Sequence, residues 1–256
     1  MPHDWDGATY DRISAPIERN GRQVLERLEL EGHETVLDAG CGSGRVTEAL
    51  VQRVPRGKVI GVDASPGMIA AARKRLGDRA ELILADLLGL DLAGRRVDAV
   101  FSSAVFHWVS DHDALFGRLH AALRPGGRLV AQCGGEGNTP ELLDATLAVG
   151  SRPPFAPYLE GYSPWNFQGP QATARRLRAA GFTDVHTELV ERPGPYDDLH
   201  EWLHSNALGA HLLRLPEHLR GQYVDEVHDA FADDRSVTYI RLEIDARVPG
   251  PAQRRT

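Results

Sequence analysis

The chain has 256 residues, 42% hydrophobic and 25% charged, with a formal net charge of −7 at pH 7 and a pI of about 5.9. That mix excludes a disordered chain, which combines low hydrophobicity with high net charge, and it lacks the basic footprint of a dedicated nucleic-acid binder. Two distant cysteines, Cys41 and Cys133, do not make a disulfide framework. No apolar run approaches the roughly 18–20 residues of a membrane span, and the acidic start Met1–Asp6 carries no apolar targeting segment. The expected setting is therefore the cytoplasm, with no membrane or nucleic-acid partner.

Through the first two-thirds of the chain, short β-branched runs alternate with helical patterns. Thr35–Leu37 reads as a strand and Arg45–Val54 as a helix; Lys58–Val62 and Pro66–Leu76 repeat the pair. Ala80–Ala85 and Val97–Ser102 are strands, Asp111–Leu123 a helix, and Arg128–Gln132 a fifth strand. Strands alternating with helices predict crossover connections and a doubly wound, mostly parallel α/β sheet. Ser65-Pro66 is a helix start, with a capping serine before proline at the first helical position. Arg124-Pro125-Gly126-Gly127 is a stop followed by a tight turn. Residues 137–180 and 196–231 are expected to form a cap, the first part rich in Pro, Gly and aromatics. Val237–Val248 alternates as a closing strand, and 249–256 is a tail. The expectation is one domain over 1–248, with a nucleotide-type core over 35–133.

The chemistry gathers at the ends of the strands. The first strand runs into Asp38-Ala39-Gly40-Cys41-Gly42-Ser43-Gly44 before a helix. Alternate glycines allow a sharp turn and close approach of a ligand, and the helix start offers free N–H groups. The dinucleotide pattern G-x-G-x-x-G fails, because its third glycine falls on Arg45 or on Thr47. Asp63 ends the second strand, 23 residues after Gly40, and Asp86 ends the third. Carboxylates at strand ends suit ribose hydroxyls and an exocyclic amine, and suit a pyrophosphate poorly.

These motifs, with Gly61-Val62-Asp63-Ala64-Ser65-Pro66-Gly67-Met68, Ala85-Asp86-Leu87 and Leu123–Gly127, occur in the order and spacing of class I S-adenosylmethionine (SAM)-dependent methyltransferases, which Thr35–Cys133 resembles. The resemblance implies a Rossmann-like seven-stranded sheet with an antiparallel last strand and a helical cap, and SAM as the cofactor. It implies that Asp38 holds the methionine amino group and that Gly40, Gly42 and Gly44 give backbone approach. Asp63 would bind the ribose and Ala64 and Met68 would line the adenine. Asp86 would receive its amine, and Leu87 and Ser102 are the remaining cofactor-binding candidates. Trp5, Tyr10, Phe106-His107-Trp108-Val109-Ser110-Asp111-His112 and Trp202 resemble the trans-aconitate methyltransferase-like branch. His107 and Tyr10 are the catalytic candidates, and Trp108 and Trp202, with Trp165 of the aromatic insertion, are expected to line the acceptor. The acceptor is expected to be a small molecule, with a carboxylate the first choice and N-, C- or phenol O-methylation the alternative. Catalysis is not itself legible in these motifs, so a SAM-binding protein without turnover stays open, as does a monomer or a homodimer.

His112 reads as the exposed start of a helix. His200-Glu201-Trp202-Leu203-His204 fits the zinc-peptidase pattern H-E-x-x-H. With 11 histidines in the chain it reads as a chance match on a cap helix, and no metal is expected.

Overall fold

The computed structural model describes residues 15–194, 199–230 and 237–250. Seven strands form one sheet: β1 (Thr35–Ala39), β2 (Lys58–Asp63), β3 (Glu81–Leu84), β4 (Val97–Ser103), β5 (Leu123–Gly134), β6 (Thr183–Gly194) and β7 (Val237–Arg247). Their order is β3-β2-β1-β4-β5-β7-β6. The pairings among β1 to β5 are all parallel. β7 runs antiparallel to both β5 and β6, as expected for the last strand. The chain winds outward from β1 to β3, then crosses to β4 and winds the other way. The switch point therefore lies between β1 and β4, where such sheets bind ligands beyond their carboxyl ends.

Both faces of the sheet are covered, so the central strands are apolar throughout rather than alternating. On one face Leu37, Ile60, Val100 and Leu129 pack against Leu115, Phe116 and Leu119 of the helix His112–Ala122. On the other, Val36, Val59, Phe101 and Val130 pack with Leu25, Leu28 and Leu50. A third cluster joins Leu142, Phe155, Trp202, Leu212 and Tyr223, with Tyr239 of β7 packed against it. It is the core of the cap, built from the helices Pro140–Gly150, Ala156–Leu159, Gly209–Arg214 and Glu217–Ala230.

The helix starts follow the sequence reading. Ser65 Oγ accepts from the Met68 N–H at 3.2 Å, satisfying one of the donors left open at a helix start. Three readings are corrected. Pro170–Ala179, taken as cap, lies on the sheet: its Leu177 joins Phe182 in the sheet core. Pro140–Gly150, hidden in the Pro- and Gly-rich stretch, is a helix with proline in its first turn. The later cap segment is not one continuous helix: a π-helical turn, Leu203–Ala207, separates Leu199–Trp202 from Gly209–Arg214.

No described helix is long and apolar enough to cross a membrane. Ser102 serves the frame: its buried Oγ donates to Ala39 O at 2.7 Å, tying β4 to β1. Ser102→Ala is expected to lower the unfolding free energy by about 1–2 kcal/mol in denaturant melts while leaving SAM affinity unchanged.

Candidate functional site

A cleft of about 780 Å³ opens over the carboxyl ends of β1, β2, β4 and β5 and runs under the cap. Gly40, Gly42, Asp63, Ala64, Met68, Asp86, Leu87, His107, Trp108, Trp165 and Trp202 all line it, so most of the expected site residues converge on one cavity. Asp38 lines a smaller neighbouring cavity of about 60 Å³, which shares Gly40, Gly42 and Ser103 with the first. Tyr10 and Trp5 lie outside the described residues.

The glycine loop has a reason for each glycine. Gly40 and Gly42 both have positive φ (88° and 53°), a region costly for residues with a Cβ. A side chain at Gly40 would run into Val105, whereas one at Gly42 would meet nothing within 4 Å and would stand in the cleft. Gly44 is a correction: a Cβ there would press on Ala72 and Leu76 of the helix Pro66–Leu76. Gly44 thus permits helix packing and does not line the cleft.

Asp63 fastens the loop. Its Oδ2 accepts from Gly42 N–H at 2.9 Å and its Oδ1 from Ser65 N–H at 2.9 Å. Each carboxylate oxygen has a second lone pair for a hydroxyl donor. Burial raises its pKa, against the backbone donors that lower it. Asp38 is buried, and burial pushes it up to about 7; the Thr47 hydroxyl, 2.7 Å away, opposes the shift and the charge of Asp63 adds to it. Two carboxylates crowded beside a glycine loop repel phosphate and favour a cation. Asp86 lines the cleft and also caps the short turn Leu87–Gly89, accepting from Leu88 N–H at 2.8 Å.

Ser102 is a second correction. Strand alternation turns it into the frame, and Ser103, one residue on, lines both cavities instead. Ser103 Oγ is buried with no hydrogen-bond partner among the described residues. That orphaned hydroxyl, the side-chain-sized space at Gly42 and the acidic pair form a cradle that fits a cationic nucleoside such as SAM. Ala104 follows with a φ of 61°, a strained conformation of the kind found where a site fixes its backbone.

The far half of the cleft is aromatic. His107 is buried, and its Nδ1 accepts from Gly134 N–H at 3.1 Å. An acceptor at Nδ1 puts the ring proton on Nε2. Burial pushes its pKa down to about 3, assisted by the charge of Arg241 and then of His112. His107 is therefore a neutral hydrogen-bond donor. His112 is not exposed: it is 4% accessible and its Nε2–H donates to Phe106 O at 2.8 Å. Trp165 lies parallel to Phe167 and faces Trp108, and this stretch is tied to the His107 loop by Asn166 N–H donating to His107 O at 2.8 Å.

The sequence reading missed Asn138, Thr139, Phe167, Arg214, Tyr239 and Arg241, all of which line the cleft. Arg241 shares a strand face with Glu243 and Asp245, which pair with Arg27 and Arg128, so alternation alone marks it as an ordinary polar position. The H-E-x-x-H helix shows no such site: its first histidine, His200, pairs with Asp225 at 2.9 Å. No cluster able to hold a metal occurs among the described residues.

A family profile described as a methyltransferase domain matches residues 36–127. Among curated proteins, trans-aconitate 2-methyltransferase of Variovorax paradoxus is 32% identical over 87% of this chain and 87% of its own. That of Paracidovorax citrulli is 30% identical over 96% and 98%. Among solved structures, a phosphoethanolamine N-methyltransferase of Haemonchus contortus in complex with SAM superposes with a TM-score of 0.61 at 20% identity. That match covers 90% of this chain and 52% of the Haemonchus protein, and shows the fold alone. Fold and cleft are those of a class I, Rossmann-like methyltransferase. The chain belongs to the trans-aconitate methyltransferase-like family of SAM-dependent methyltransferases.

Two outcomes test the cradle. Gly42→Val is expected to abolish SAM binding in calorimetry while the melting curve stays cooperative; normal binding would displace the loop from the site. An Asp38 that meets an ammonium group must lose its proton, so SAM affinity is expected to rise with pH. At pH 6, one unit below a pKa of about 7, it is expected to be about tenfold weaker than at pH 8. Equal affinity at the two pH values, without proton release, would remove Asp38 from the contact.

Proposed function

We propose that the protein transfers the methyl group of SAM to a carboxylate of a small acid, forming a methyl ester. The observation that carries this reading is the state of His107. It is the titratable side chain at the junction of the two halves of the cleft, and it is neutral with its Nδ1 occupied by Gly134 N–H. A carboxylate is deprotonated at neutral pH and needs no base. A phenol, amine or carbon acid needs its proton removed, and a His107 whose one acceptor nitrogen is already engaged is poorly placed for that. The relatives named trans-aconitate 2-methyltransferases support the same class.

In this reading Asp63 receives the ribose hydroxyls, Ala64, Met68 and Leu87 line the adenine, and Asp86 accepts from its amine. Asp38 takes the methionine ammonium, and Gly40 and Gly42 let the backbone close on the ligand. When bound, SAM supplies an electrophilic methyl on its sulfonium. The chain's own work on the acceptor side is placement. The Nε2–H of His107 orients a carboxylate oxygen, and Trp108, Trp165 and Trp202 wall its apolar body and exclude water. Holding two reactants in line supplies up to roughly 7–11 kcal/mol of barrier reduction without any proton transfer.

The test is a pH–rate profile at saturating SAM with a panel of carboxylic acids, phenols and amines. Transfer to a carboxylic acid is expected, with kcat nearly flat from pH 6 to 9. His107→Asn is expected to lower kcat by about 10–100-fold through lost orientation, short of the roughly 10²–10⁴-fold that loss of a general base costs. A rate limb near neutrality that disappears in His107→Asn, with methylated phenol or amine as product, would overturn the reading.

A further inference from the structure

The cleft is divided by charge. The carboxylates among its described lining residues, Asp63 and Asp86, stand at the ends of β2 and β3, and its arginines, Arg214 and Arg241, line the opposite half. Arg214 is exposed on a cap helix, its guanidinium over the Tyr162 ring at 4.3 Å and its Nε donating to Tyr158 O at 3.1 Å. Arg241 differs: it is 7% accessible, belongs to the sheet, and has its guanidinium 4.0 Å from the centroid of the Tyr239 ring.

Register fixes where Arg241 stands. It pairs with Gly134 across the β5–β7 ladder, and the N–H of that same Gly134 holds His107 Nδ1. His107 and Arg241 therefore flank one backbone position. The glycine loop follows β1, beyond β4 on the other side of β5. With neighbouring strands about 4.8 Å apart, the order along the cleft is glycine loop, Ser103 and Ala104, His107, then Arg241. A methyl donor seated over the loop reaches the acceptor from the β1 and β4 side. Arg241 meets the end of the acceptor that points away from the reacting oxygen. The Tyr239 ring lies beside the guanidinium, whose planar N–H fork is the geometry that matches a carboxylate bidentately.

Resting on the carboxylate reading above, we propose that Arg241 is the specificity-determining residue that anchors a second carboxylate of the acceptor, one that is not methylated. The chain then discriminates polycarboxylates from monocarboxylates by a contact made at the far wall of the cleft.

The test compares wild type, Arg241→Gln and Arg241→Lys with trans-aconitate, which carries three carboxylates, and crotonate, which carries one. Wild type is expected to prefer trans-aconitate in kcat/KM by at least tenfold. Arg241→Gln is expected to collapse that preference by 10–100-fold, chiefly through KM. It is also expected to weaken trans-aconitate binding to the protein loaded with S-adenosylhomocysteine, measured by calorimetry, while affinity for S-adenosylhomocysteine stays within twofold. Arg241→Lys, which keeps the charge without the fork, is expected to lose three- to tenfold. An unchanged preference, or equal loss toward both acids, would overturn the proposal and leave the carboxylate reading standing. If Arg241→Gln does not fold, an unchanged trans-aconitate KM in Arg241→Lys overturns it. Wild type that methylates neither acid, but a phenol or an amine, would overturn the carboxylate reading and this proposal together, and that result appears before any variant is made.

Discussion

The carboxylate of Asp63 holds two backbone N–H groups from two different elements, Gly42 of the loop after β1 and Ser65 at the start of the next helix. The shape of the cofactor half depends on this clamp. It keeps the glycine loop folded toward β2, where Gly40 and Cys41 also donate to Val62 O. It sets the residue that caps the helix Pro66–Leu76, and so places Met68 on the cleft wall. A carboxylate with each oxygen engaged by one N–H is both rigid and still able to accept from a ribose. The geometry therefore costs little to organise when a ligand arrives, which is what pre-organisation means in energetic terms.

The clamp also explains the electrical character of the site. Burial raises the cost of ionising both Asp38 and Asp63, and at Asp38 the charge of Asp63 adds to it. Such a pair is relieved by a cation, which a methyl donor with an ammonium and a sulfonium provides. On the other side of His107 the sign reverses, with arginines seated on tyrosine rings. In the proposed reaction a cationic donor and an anionic acceptor would be drawn to adjoining halves of one cleft, and the neutral histidine between them would add no charge of its own.

The parts of this site legible in the sequence are those whose spacing is set by the strands. Asp38 and Asp63 lie in the last two residues of β1 and β2, Asp86 comes just after β3, and Ser65-Pro66 announces its helix. The parts that were not legible depend on contacts between distant segments. Parity along β4 decides whether Ser102 or Ser103 faces the cleft, and a strand end read one residue short conceals that choice. His112 begins its helix as expected, yet it is buried because the Phe106–Trp108 turn folds back to offer a carbonyl. Arg241 sits among charged residues on an alternating strand, and only the cap above and Gly134 beside it make it part of a cleft. The helix Pro140–Gly150 was masked because proline, tolerated in a first turn, reads as a breaker when met in a Pro- and Gly-rich stretch.

The account is tested most directly by an experimental structure of the protein with S-adenosylhomocysteine and trans-aconitate bound together. The predicted result has the ribose hydroxyls on Asp63, the sulfur directed toward His107, one carboxylate of the acid beside His107 Nε2 and another on the Arg241 fork. A nucleoside bound away from Asp63, or an acid bound without contact to His107 and Arg241, would contradict it.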